Sequence, residues 1–273
     1  MTEQRFADRV VVRLGDDGVA EVALSRADKM NALDAAMFDG LLLAGEHLRQ
    51  LHGLRAVVLH GEGRAFCAGL DMGSFDRMAQ GQSVGDDLAD LVTRTHGLAN
   101  RAQQVAWQWH ELAVPVVAAV HGVAFGGGLQ LALGADIRCV APDARLSVLE
   151  MQWGLVPDMA GMVLMKGLVR DDVARELTYT GRIFQGEEAA RLGIATRVCD
   201  DPRAEALALA AEIASKSPTA IRGAKRLLDM VADADQHAIL LAESQEQGAL
   251  IGSPNQVEAV MSNIQKRAAV YAD

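Results

Sequence analysis

Residues His121–Asp136 read HGVAFGGGLQLALGAD, with three consecutive glycines between an apolar strand pattern and an apolar helix pattern. Glycine weakens a strand or a helix by roughly 0.5–1 kcal/mol relative to alanine. A run of three at such a junction therefore implies a local demand for bare backbone. Two kinds of demand fit. The turn can pack closely against another segment, or it can offer unobstructed N–H groups to a phosphate or a developing oxyanion.

Working outward, PVVAAVHG (115–122) supplies the strand before the glycines, and DIRCVAP (136–142) supplies another after them. From Leu112 to Ala135 there is no Asp, Glu, Lys or Arg, a length that could span a bilayer. Pro115, His121, Gln130 and five glycines interrupt it, so a buried strand, turn and helix describe it better than a membrane span. Upstream, RVVVRL and VAEVALS flank Asp17-Gly18 as a hairpin, and Met37, Leu41, Leu48 and Leu51 mark one helix face. LRAVVLHG is a short buried strand that ends in EGRAFCAGLDMG, and a long helix is expected from about Asp86 to Leu112. Asp201-Pro202, Ser217-Pro218 and Ser253-Pro254 each set a capping residue before a proline suited to the first helical turn. Strands alternating with helices, followed by a helical tail, predict an α/β core over residues 1–200 and a C-terminal helical region over 201–273.

Composition narrows the function. A net charge of −10 disfavours nucleic acid and anionic membranes as partners, and half of the 273 residues are hydrophobic, ample for a large core. Cys67, Cys139 and Cys199 form no metal or disulfide pattern, and the charged MTEQRFADRV start lacks a secretory core, so a cytoplasmic setting is expected. There is no GxxxxGK[ST] phosphate loop, no complete dinucleotide fingerprint and no GxSxG elbow. GRAFCAGLDM is a second strand-to-loop transition with small residues at Ala65, Ala68 and Gly69. Two such loops could each offer one N–H to the same oxygen.

Taken together, LSRADKMNAL, GRAFCAGLDM, VHGVAFGGGLQLALGADIR, LEMQWGLVPDMAG and IQKRAAVYA make nearly the whole chain resemble the crotonase superfamily, which includes enoyl-CoA hydratases and isomerases. The resemblance implies a spiral of ββα turns with C-terminal helices that support a homotrimer or homohexamer. It implies an acyl-CoA thioester as substrate, with no separate cofactor and no metal. By motif, the N–H groups of Ala68 and Gly127 hold the thioester carbonyl, and preorganised donors of this kind stabilise an enolate more than its ground state. Hydratases of this family pair two glutamates around a water. Here the first position is Gln130, which can orient water or substrate but exchanges no proton readily, and the second is Glu150. Asp158 stands where dienoyl-CoA isomerases carry an acid, and it is also placed to cap the helix starting MAGMVLM.

The resemblance further implies CoA or substrate contacts from Arg26, Ala27, Lys29, Ala65, Gly69, Leu70, Asp71, Gln130, Trp153 and Lys266, with Lys266 reaching from a neighbouring subunit. Asp71 is expected to bond loop amides, Trp153 to shape the acyl pocket, and His121 and Cys67 to pack rather than react. The expected reaction is a double-bond shift with Glu150 as acid and base. Hydration with Glu150 and Asp158 activating water is the rival, a noncatalytic acyl-CoA-binding protein comes next, and a serine hydrolase on a similar spiral lacks a Ser/His/Asp set.

Overall fold

A computed structural model describes residues 2–80 and 90–273. The chain opens on β1 (Thr2–Phe6), β2 (Val10–Leu14) and β3 (Val19–Leu24), an antiparallel meander. The β2–β3 hairpin turns at the expected Asp17-Gly18, where Gly18 has φ +80°. Strand β1 lies in MTEQRF, a polar stretch without strand alternation; pairing with β2 makes it a strand. Then come α1 (Ala35–Gln50), β4 (Ala56–Gly61), α2 (Met72–Ala79), α3 (Arg101–Glu111) and β5 (Val116–Val120). The glycine turn leads from β6 (Val123–Phe125) into α4 (Gly127–Leu133), followed by β7 (Ile137–Val140) and β8 (Arg145–Ser147). Next are α5 (Gly161–Met165), α6 (Asp171–Thr180), β9 (Phe184–Gln185), α7 (Gly186–Leu192) and β10 (Arg197–Val198). Helices α8 (Pro202–Ala214), α9 (Pro218–Val231), α10 (Gln236–Leu250) and α11 (Pro254–Gln265) complete the chain.

The main sheet has the order β1-β2-β3-β4-β5-β7-β10 and is parallel from β3 onward, while β6, β8 and β9 form a second, three-stranded sheet. The parallel strands are almost wholly apolar because both faces are covered. One face packs on the core that holds Met37, Leu41 and Leu48 of α1 and Trp109 of α3. The other face buries Val58, Val117 and Cys139 against Ala206 and Ala210 of α8. Arg203 of α8 also donates to Glu21 Oε2 on β3 at 2.6 Å. Residue 200 thus marks a change of element type and not a break in packing, since α8 is a layer of the core.

The helix expected from Asp86 begins only at Arg101. Asn100 caps it with a full capping box to Gln103, residues 90–100 hold no helix, and residues 86–89 lie outside the described residues. Among the described residues before Asn100, Asp90 accepts from Val92 N and Thr93 N, but the chain that follows makes turns and a short bridge and no helix. All three Pro-initiated helices form, with Asp201 and Ser253 capping α8 and α11 as expected, but Ser217 makes no side-chain cap bond at α9. Ser253 Oγ accepts from Gln256 N, but Gln256 Oε1 accepts from Gly252 N, so the box at α11 closes on one side only. Among the described residues, no helix is long and apolar enough to cross a membrane.

Helix α9 is anchored by a buried lysine. Lys225 Nζ donates to Asp136 Oδ2 at 2.8 Å and to the carbonyl of Val114 at 3.1 Å, and Asp136 Oδ2 also accepts from Val116 N. Lys225 is buried but Asp136 is partly solvated and keeps its bond from Val116 N, so loss of the lysine removes a charge-assisted hydrogen bond without stranding a buried charge. Lys225→Met is therefore expected to lower the unfolding free energy by about 1–2 kcal/mol, read as a lower urea midpoint at unchanged m. Adding Asp136→Asn should cost less than Asp136→Asn costs in the parent, because the pair is already broken.

Candidate active site

The two small-residue loops meet through their main chains. Cys67 pairs with Ala124 in a parallel bridge, with Cys67 N donating to Val123 O and Phe125 N to Cys67 O. A Cβ on Gly128 would sit 2.3 Å from Cys67 O, and one on Gly69 would sit 2.5 Å from Phe125 O. Gly69 also has φ +86°, and Gly126, at φ +52° and ψ −119°, holds a conformation reserved for glycine. The glycine run therefore does first what a tight turn needs: it lets two backbones touch.

That contact exposes amides. Gly127 is the first residue of α4 and has no carbonyl one turn back to receive its N–H. Across from it, the Ala68 N–H is committed to Met30 O at 2.9 Å. This corrects the motif assignment of Ala68 as a donor. Two residues on, the N–H of Leu70 has no acceptor among the described residues, although the neighbouring Leu33 N–Gly69 O and Asp71 N–Leu33 O bonds are both made. Gly69 between them lies against Gly127 N, 3.8 Å from its would-be Cβ. The pair of unspent amides is thus Leu70 and Gly127, and both line one cavity.

This cavity, of about 660 Å³, also holds Gln130, Glu150, Trp153 and Asp158 on its wall. Trp153 stacks on Phe75 of α2 with ring centroids 4.4 Å apart. The remaining wall is mostly apolar, with Phe38, Met72, Phe125 and Leu149 among its members. These scattered residues carry no sequence signal, because they come from five elements that only the fold brings together.

Glu150 lies on a 3₁₀ turn, Leu149–Trp153, behind the bare Cα of Gly126, whose Cβ would be 3.3 Å from Oε1. Its Oε1 accepts from Gln130 Nε2 at 2.6 Å, and its Oε2 is buried without a hydrogen-bond partner. Burial pushes the Glu150 carboxyl above the usual carboxylate range; hydrogen bonds from its own amide and from Gln130 oppose this, and the charge of Asp158 adds to it. Burial raises Asp158 as well, although its side chain opens onto the empty cavity. The capping role suggested for Asp158 is absent: Ala160, in a left-handed conformation, is the N-cap of α5, with no side-chain cap. Gln130 does not offer its carbonyl to water either, because Oε1 accepts from both Met159 N and Gly161 N at 2.9 Å.

Other expected contact residues stand off the cavity wall. Arg26 is paired with Asp71 Oδ2 at 2.6 Å and lies 3.4 Å from Asp34, so its charge is already neutralised. Asp71 caps α2 by accepting from Gly73 N. Burial pushes the Asp71 carboxyl up, but Arg26 and the Gly73 amide outweigh it, leaving it below its ordinary value. Ala65 is fully buried, its carbonyl taken by Asn31 Nδ2. Ala27 and Lys29 are exposed on a short 3₁₀ turn, and Lys266 is exposed at the end of α11; neither turn nor helix end contributes to the cavity wall. His121 meets Gly63 O through Nε2, and Cys67 is fully buried with its thiol pushed up to about 12. Among the described residues no cluster could hold a metal ion.

Asn31 is the residue that motif reading passed over. Fully buried at φ +55°, it donates from Nδ2 to the carbonyls of Glu62, Ala65 and Phe66 and accepts from Arg26 N at Oδ1. It shapes the loop that leads to Leu70. Its signal was present within KMNAL, since Asn tolerates the left-handed region better than other side chains.

Residues 15–273 match the family model described as enoyl-CoA hydratase/isomerase. The chain belongs to that family. It is 27% identical to the peroxisomal Delta(3,5)-Delta(2,4)-dienoyl-CoA isomerase of Arabidopsis thaliana, covering 100% of this chain and 99% of that protein. Identity to the mitochondrial Delta(3,5)-Delta(2,4)-dienoyl-CoA isomerase of Rattus norvegicus is 35%, over 76% of this chain and 64% of the relative's length. The crystal structure of the Bacillus anthracis enoyl-CoA hydratase superposes with a TM-score of 0.83 at 27% identity, covering 96% of this chain and 98% of that one. The crotonase-like α/β fold is therefore established, and the chain is an enzyme of this family.

A carboxyl whose pKa is higher folded than unfolded makes the folded state the better proton binder, so stability falls as pH rises through that interval and stays lower above it. Glu150→Gln removes this penalty yet keeps an acceptor for Gln130 Nε2. Its Tm at pH 7 is expected to equal or exceed that of the parent, with the gap closing below the carboxyl range, while turnover falls by about 10²–10⁴. Melting curves across pH, run beside the activity assay, check both halves.

Proposed function

We propose that the protein moves a double bond along the acyl chain of an enoyl-CoA thioester. The thioester oxygen accepts from the N–H groups of Leu70 and Gly127. Glu150 removes a proton from a carbon activated by that carbonyl, and the charge moves onto the oxygen, where the two amides stabilise it; one such donor is worth about 10²–10³ in rate. Asp158, in its protonated form, returns a proton at the other end of the allylic system. Two raised carboxyls in one cavity share a proton readily, one accepting while the other donates. In each turnover Glu150 gains the proton taken from one carbon and Asp158 loses the one it delivers to the other, and exchange with solvent resets the pair.

The observation that carries this reading over hydration is the state of Gln130. Both lone pairs of its carbonyl go to backbone amides, so it has no acceptor for a nucleophilic water. Relatives named as dienoyl-CoA isomerases, at 27% and 35% identity, are compatible with this reading, and relatives named as enoyl-CoA hydratases match at 31% and 34%, so the choice rests on Gln130. The apolar cavity fits a hydrocarbon acyl chain. Exposed Leu228, Leu240 and Ile264 on α9 to α11 support assembly into a trimer or a dimer of trimers, an arrangement that can bring Lys266 toward a neighbour's CoA phosphates.

Separate incubations with 3-enoyl-CoA, 3,5-dienoyl-CoA and trans-2-enoyl-CoA test the reaction by product mass. Isobaric products from the first two are expected, with Asp158→Asn slower by about 10²-fold. Rapid gain of one water by trans-2-enoyl-CoA, without double-bond migration in either other substrate, overturns the proposal in favour of hydration.

A further inference from the structure

Gln130 is 3% exposed and makes three side-chain hydrogen bonds. Their directions are forced. Oε1 faces two backbone N–H donors, Met159 and Gly161, and the reverse orientation would set an NH₂ group against both. Nε2 must therefore be the atom that meets Glu150, and as a donor it requires an acceptor at Glu150 Oε1. A proton taken up by Glu150 then has one place to go, Oε2, which is buried without a partner. The same side chain holds the segment bearing Asp158, because Met159 N and Gly161 N are both tied to it.

We infer that Gln130 is a positioning residue that fixes the two acids of the cavity relative to each other and restricts proton exchange by Glu150 to its Oε2 atom. This rests on the reading of Glu150 as the acid–base group. Asp158 is the titratable side chain whose charge acts on Glu150 among the described residues. The elements around the turn carry their titratable groups on the outside: α4 and α5 have none, α6 holds Asp171, Asp172, Arg175, Glu176 and Tyr179 at exposed positions, and α2, stacked on Trp153 through Phe75, holds Asp76 and Arg77 exposed as well. A glutamate at position 130 can still receive the two backbone amides on one oxygen. Its other oxygen would then stand against Glu150 Oε1 at the place of Nε2, where two ionised carboxylates cannot coexist.

The test compares the parent with Gln130→Met and Gln130→Glu. The Glu150 carboxyl is followed by ¹³C NMR titration without substrate, with near-ultraviolet circular dichroism as the fold control, and kcat/KM is followed against pH. In Gln130→Met, loss of the donor is expected to raise the Glu150 midpoint by about one pH unit, with the acid limb of kcat/KM moving the same way and kcat falling at least tenfold. In Gln130→Glu, the carboxyls are expected to titrate in two separated steps shared by the pair. An unmoved Glu150 midpoint in folded Gln130→Met overturns the inference. Should that variant not fold, a single unshifted Glu150 titration in Gln130→Glu does so. The NMR arm needs no turnover, so a protein that shifts as expected but converts no enoyl-CoA refutes the isomerase reading and leaves the placement by Gln130 standing.

Discussion

The active site depends on a contact between two main chains with no side chains between them. Cys67 O lies where Gly128 would place a Cβ, and Phe125 O lies where Gly69 would place one. Each close approach is paired with a backbone hydrogen bond across the same crossing, so the loops are locked in register as well as in separation. The crossing also determines which amides are spent. Ala68 turns inward to Met30, and Leu70 and Gly127, on either side of the Gly69 contact, are left over. A pair of open donors of this type needs no dedicated side chain, because it consists of the hydrogen bonds that a tight crossing leaves unmade.

The acids behind this crossing are controlled by burial and, at Glu150, by hydrogen bonds from its own amide and from Gln130. Two carboxylates in an apolar cavity would repel each other if both were ionised, and desolvation favours the protonated form of each. The Gln130 side chain meets only Oε1 of Glu150, so the two oxygens of the group differ, Oε2 being buried without a partner. The surrounding wall of Phe75, Trp153 and Leu149 keeps the dielectric low, which strengthens each of these interactions. Charge elsewhere in the segment is handled differently: Arg26 is held between Asp71 and Asp34 and serves the loop instead of a ligand.

What could be read from the chain was local. The β2–β3 hairpin, the apolar face of α1 and the proline-led starts of α8, α9 and α11 follow from neighbours within a few residues, and all of them formed. The demand for bare backbone at the glycine triplet was legible from residue type, and Glu150 and Asp158 were singled out by their place in motifs that resemble the family's. Features that depend on distant partners were not. Whether the Ala68 amide is free is decided by Met30, 38 positions earlier, and whether Gln130 can hold water is decided by Met159 and Gly161. Arg26 looked available for phosphate because nothing nearby in sequence showed that Asp71 neutralises it. Strand β1 exists only through its partner, and the start of α3 is set by the Asn100–Gln103 capping box.

Asn31 has a consequence for how such a protein can change over generations. One buried amide holds three carbonyls of the Glu62–Phe66 loop, so that loop inherits its shape from a segment far upstream. Neither segment can diverge alone without leaving carbonyls buried and unanswered. The hydrocarbon wall of the cavity is under no such bond and can be altered residue by residue. The shape of the cavity is therefore free to diversify quickly, while the scaffold that presents the two unspent amides is held to a shared ancestry.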